Sequence, residues 1–180
     1  MRSINEIELD LERDLFLRSL VRELAGTLEE IIGPDDASGY ISLVGQRLGG
    51  ALNASYTTAL GVERLDAHQV GAVLVDLKRR IQGEFFVISE GADKIVLGSR
   101  KCPFGDKILG RSSICAMSAS MFGVIAAENL GYARVAQPET IASGHAGCRI
   151  EIHLRPETAS GGREFFRGPQ AEDAYAAPVA

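Results

Sequence analysis

Three cysteines, Cys102, Cys115 and Cys148, are the residues of this 180-residue chain whose type and placement could do chemistry. An odd count cannot be consumed in intrachain disulfides, so in a reducing compartment the readings are a metal, a cluster or buried thiols. Twelve residues separate the first two and thirty-two the next pair, and none belongs to a CxxC unit, so the short-spaced ligand pairs of structural zinc are missing. Only the fold could gather them. Cys102, in Lys101-Cys102-Pro103-Phe104-Gly105, falls at a turn, and Cys115 falls at a helix start, where the dipole and free N–H groups favour thiolate. Both places suit a ligand. The competing reading is three separate buried thiols acting as small hydrophobes.

Other candidates are sparser. His145, three residues before Cys148 in a glycine-rich loop, is the best fourth protein ligand for a zinc site, and Asp106 is the carboxylate alternative. His153 ranks below, since strand alternation puts it on the face opposite Cys148. Ser112, Ser113 and Ser118 have no recognisable base with an orienting partner, and no acid pair forms a catalytic motif. No enzyme is expected, although a cysteine paired with His145 stays open as a nucleophile.

The elements that must position these residues change period at Gly83. From Leu17, apolar residues at Val21, Leu24, Leu28 and Ile31 predict a helix that stops at Gly33-Pro34, with a stripe that could pack on its own domain or pair two copies as a homodimer. Ser38 is the expected cap of a second helix, with Ile41, Val44, Leu48 and Leu52 on its buried face and Gly45, Gly49 and Gly50 suggesting close packing. Asp66 is the expected cap of a third, burying Val70, Val73, Leu74, Leu77 and Ile81 and exposing Lys78, Arg79 and Arg80. Runs at Glu84–Ser89 and Lys94–Leu97 predict a hairpin, Ile114–Leu130 a helix ending at Gly131, and Ala133–Glu139 and Cys148–Leu154 two more strands. The fold class is therefore α+β, N-terminal helices packed on a small, mainly antiparallel sheet. Residues 1–155 form one regulatory domain, helical over 1–82 and cysteine-containing sheet over 83–155. Residues 156–180 read as a flexible tail in which Phe165-Phe166 could dock.

Composition narrows the function classes. At 19.3 kDa, with 46% hydrophobic and 24% charged residues and a mean hydropathy of +0.05, the chain has a globular composition. A net charge of −5 gives no basic field for nucleic acid or anionic lipid. Glu6, Glu8, Asp10, Glu12 and Asp14 near the start are unlike the cationic flank of a signal peptide, and no stretch reaches the ~20 consecutive apolar residues of a membrane span. The expectation is a cytoplasmic protein with no membrane association.

Cys102-Pro103-Phe104-Gly105, Ile114-Cys115-Ala116-Met117, Met121-Phe122-Gly123, Leu130-Gly131, Glu139-Thr140-Ile141-Ala142-Ser143-Gly144 and Cys148-Arg149-Ile150-Glu151-Ile152 form one continuous pattern. It resembles the methanogen output domain, related to 4-vinyl-reductase-like sensor domains, and the cluster-binding half of SufR-type iron-sulfur repressors. The resemblance implies a 4-vinyl-reductase-like fold over residues 83 to 155 and the helices before them. It also implies that Cys102, Cys115 and Cys148 are three thiolate ligands to a four-iron cluster that responds to redox state, oxygen or a small ligand. Unlike those repressors, the chain has an acidic amphipathic helix where they carry a winged helix, so direct DNA binding is not expected and a regulatory protein partner is. The competing function is a small-molecule receptor with structural zinc at Cys102, Cys115, Cys148 and His145 and a pocket from Phe85, Phe86, Met117, Met121 and Phe122.

Overall fold

Helical periodicity in the first part of the chain is realised as three helices in the computed structural model, which describes residues 12–156 and 161–168. They are α1 (Arg13–Ile32), α2 (Pro34–Leu60) and α3 (Ala67–Arg80). Gly33 ends α1 at φ 86°, its N–H bonded to Glu29 O, and Pro34 starts α2 where a missing N–H costs nothing. Ser38, the expected cap, therefore lies a turn inside α2, and its carbonyl accepts from Ser42 Oγ at 2.7 Å.

The expected buried face of α2 is also displaced. Ala37, Ser42, Gly45 and Gly49 face inward, whereas Val44 and Leu48 are exposed. The reason is the close approach of α4 (Ser112–Leu130): a Cβ on Gly45 would sit 2.3 Å from Met117 O, and one on Gly49 3.0 Å from Met121 O. Only the small-residue face can lie this near another backbone. The α1 stripe splits as well, with Val21 and Leu28 half-buried and Leu17, Leu24 and Ile31 exposed.

Asp66 caps α3 through a capping box: Oδ1 accepts from Gln69 N at 2.8 Å, while Asp66 N donates to Gln69 Oε1 at 2.9 Å. Val70, Val73, Leu74 and Leu77 are buried as expected, but the last turn is inverted. Ile81 is about half exposed, and Lys78 is buried.

Strands β1 (Glu84–Glu90), β2 (Lys94–Lys101), β3 (Tyr132–Glu139), β4 (Cys148–His153) and β5 (Arg163–Phe166) make one antiparallel sheet in the order β1-β2-β4-β3-β5. The predicted α+β class holds. Phe122, Ile125 and Ala126 of α4 meet Ile95, Leu97, Ala133, Val135, Ile150 and Ile152 of the sheet, with Val70, Leu74 and Leu77 of α3 closing the same core. Among the described residues α4 is the one helix long and apolar enough to cross a membrane, and 61% of its most apolar window is buried, as befits the helix at the centre of this core.

The stretch expected as a flexible tail supplies β5. Phe165 is buried with its ring on Gly123, where a Cβ would lie 2.1 Å away, and Tyr132 and Phe166 meet edge to face at 5.4 Å. Arg167 donates to Glu128 O at 2.9 Å and Asn129 O at 3.0 Å, placing a cation on the carbonyl end of α4. The other tail residues, 157–160 and 169–180, and the acidic opening through residue 11 lie outside the described residues.

Phe165→Ala should lower stability by about 3 kcal/mol and the melting temperature by roughly 10 °C. An unchanged thermal transition would show that β5 is dispensable. Gly45→Ala should destabilise by about 2 kcal/mol in a urea titration. Gly50→Ala, where an added Cβ meets nothing within 4 Å, should instead stabilise by about 1 kcal/mol.

Candidate functional site

Three different elements bring the cysteines to one cavity. Cys102 follows β2 in a turn closed by Gly105 N donating to Cys102 O at 2.9 Å. A 3-10 turn, Gly105–Ile108, then leads to α4, whose first turn carries Cys115. Cys148 opens β4 opposite Ser99 of β2, and its Sγ accepts from Ile141 N at 3.4 Å. All three thiols line a cavity of about 30 Å³ together with Lys78, Phe85, Ser118, Phe122 and Gln137. Cys148, Ile150 and Ile152 share the face of β4 toward α4, while Glu151 and His153 pair on the other face at 3.6 Å.

Lys78 is the residue that sequence reasoning missed. It is only 1% exposed, its Nζ donates to Ser118 Oγ at 2.6 Å, and it lies 5.5 Å from the Phe85 ring centroid and 5.2 Å from that of Phe122. Those two rings meet edge to face at 6.1 Å. Among the described residues, the opposite charges that act on it are those of Cys102, Cys115 and Cys148 when ionised. Burial brings its pKa down to about 8, against the pull of the three cysteines upward. The signal was present: Val70, Leu74 and Lys78 stand four residues apart on one helix face, the buried one.

Burial holds two of the thiols, Cys102 and Cys115, toward their protonated forms. Burial pushes Cys115 up to about 12, with Cys102 and Cys148 adding to it, so the expected thiolate at the start of α4 is overruled by desolvation. Burial raises Cys102 too, against the Phe104 N–H and Lys78, which favour its ionised form. The cavity thus sets the buried Lys78 ammonium beside two thiols, Cys102 and Cys115, that desolvation disfavours as anions.

The other expected participants are elsewhere. His145 is exposed and its Nδ1 bonds Thr140 O at 3.2 Å; Asp106 is exposed; neither lines the cavity. Among the described residues, no three His, Cys, Asp or Glu side chains are arranged to hold a metal ion. The five residues expected to form a receptor pocket are dispersed. Phe85 and Phe122 line the cysteine cavity, Met121 is in the core, Met117 lines a groove with Val21 and Leu24, and Phe86 packs under Arg100. Ser118 accepts from the Lys78 ammonium, which is a donor to it and not a base.

The segment from Cys102 to Cys115 is strapped to α1. Arg22 Nη1 donates to Lys107 O at 2.6 Å and Leu109 O at 2.8 Å. Glu29 accepts from Arg111 Nη1 at 3.0 Å and from Ser113 Oγ at 2.5 Å. Gly26 leaves room for the guanidinium, since a Cβ there would be 2.7 Å from Arg111 Nη2.

The family described as methanogen output domain 1 matches residues 20–153, a span that includes the three cysteines and Lys78 and stops before β5. No curated protein matches the chain.

The Lys78 shift fixes a pH dependence of stability. Its pKa falls from 10.5 to about 8 on folding, so above pH 8 the unfolded chain binds the extra proton and stability rises with pH, by on the order of 1 kcal/mol between pH 8 and 9. Above the ordinary thiol value of 9.0, Cys115 opposes this, because the folded chain keeps a proton that the unfolded one loses. Urea titrations of Lys78→Met should lose the rise and keep the later fall. An unaltered rise in the variant would assign it to other groups.

Proposed function

The chain belongs to the methanogen output domain 1 family, and on that premise we propose that it is a signalling domain whose state is set by an iron-sulfur cluster on Cys102, Cys115 and Cys148. An output domain serves signalling, and the finer reading rests on one observation: three thiols from three elements face one cavity around a buried cation. Soft donors held apart on a turn, a helix and a strand suit a cluster, in which the sulfurs need not converge on one atom. When bound, such a cluster supplies sensitivity to redox state and oxygen.

The residues define the response. Ligation requires the thiols to lose their protons, and the Lys78 ammonium then offsets part of the negative charge in a desolvated site. A cavity of about 30 Å³ has room for roughly one water, so a larger occupant requires a wall to move. The Cys102 turn is the wall outside helix and strand, and Arg22 and Glu29 carry its displacement to α1. Lys78 Nζ donates to Ser118 Oγ, so the serine serves as the acceptor that holds the ammonium in the cavity.

Anaerobic reconstitution with ferrous iron and sulfide, followed by absorption spectroscopy and metal analysis, tests this. Cys102→Ser, Cys115→Ser and Cys148→Ser should each lower iron loading at least about tenfold, Lys78→Met should weaken it, and His145→Ala should leave it unchanged. Full iron incorporation in two of the three serine variants would sink the shared site. One zinc and no iron per chain would transfer it to zinc.

A further inference from the structure

The geometry points to the outer face of α1 and α2 as the interface of a homodimer. Leu17, Leu20, Leu24 and Ile31 are exposed, and with Thr27 they occupy the a and d places of two heptads and the a place that opens a third. Val21, Ala25 and Leu28 already serve the inside of the helix, so this seam is a second apolar face left exposed among the described residues. A stripe at 3.5-residue spacing presents knobs that another helix accepts, and a two-fold axis across it makes the surface its own complement.

The face continues onto α2. Leu24 and Val44 line one groove of about 220 Å³, and Tyr40, Val44 and Leu48 follow at four-residue steps, all exposed. With Phe16 and Leu43, nine large apolar side chains are involved, 42% to 73% exposed. They present on the order of 1,000 Å² per copy, against about 800 Å² per partner in a standard interface, and well above the few hundred Å² of apolar patch usual on a monomer. The area is what a stable dimer needs. This inference stands without the cluster: it uses neither the cysteines nor Lys78.

Light scattering with circular dichroism on the full chain tests it. The wild type should be a dimer at micromolar concentration. Leu24→Glu and Ile31→Glu, at positions 62% and 73% exposed, should each raise the dimer dissociation constant at least about 100-fold, because the symmetry buries every introduced charge twice. The helical signal and melting temperature of the monomer should be retained. A monomeric wild type, or a dimer indifferent to both substitutions, would overturn the assignment. So would a full-length monomer that dimerises only after residues 1–11 are removed, since that segment would then be what covers the face. If Leu24→Glu fails to fold, Ile31→Glu decides alone.

Discussion

Helix α4 must be covered on every side, and that constraint organises the rest of the domain. Its residues are apolar around the whole circumference, so a sheet on one face is insufficient and α2 has to close the other. The price of that closure is side chains: α2 can approach Met117 and Met121 only through Gly45 and Gly49, and β5 can approach Gly123 only because that position has no Cβ. A small-residue contact is short in range and dense in dispersion, which suits a helix sandwiched between a second helix and a sheet. One consequence reaches the surface. Because the glycine face of α2 turns inward, its aliphatic residues Val44 and Leu48 must turn out.

The same arrangement puts a charge where charge is costly. Lys78 descends from the apolar face of α3 onto Phe85 and Phe122, and a single hydroxyl hydrogen bond with two ring faces is modest compensation for desolvating an ammonium. A methionine of similar length would fill the space at less cost. The residue is therefore hard to explain by folding alone. On the proposed function, three thiols at the same cavity would supply the missing term, because each would become an anion on ligation and Lys78 and the ligands would then stabilise one another.

The fold was legible in the sequence wherever one local rule decided. Asp66 before α3, the hairpin around Gly91, and Gly131 after α4 each follow from capping or turn chemistry that needs no partner. The readings that failed depend on what lies opposite. Hydrophobicity chose Val44 and Leu48 for the inside of α2, but the backbone of α4 is too near for them. Dipole reasoning favoured thiolate at Cys115, but desolvation is the larger effect. Cation chemistry put Lys78 in water with Arg79 and Arg80, whereas its spacing from Val70 and Leu74 put it inside, and spacing prevailed. Composition made a tail of residues around Arg163–Phe166, because four residues carry too little periodicity to reveal an edge strand whose stability comes from Gly123 and β3.

The strap from α1 to the Cys102–Cys115 segment joins the two halves of this argument. Arg22 and Glu29 reach inward from the same helix that carries Leu17, Leu24 and Ile31 outward, so the segment cannot shift without either breaking those hydrogen bonds or moving α1. Breaking them would strand the Arg22 guanidinium and the Glu29 carboxylate, of which the latter is only 14% exposed on its side chain. Moving the helix is the softer mode, since its outer face is exposed among the described residues. On the proposed function, a signal at the cysteines would therefore be directed, by the relative stiffness of its connections, toward the exposed apolar face of α1.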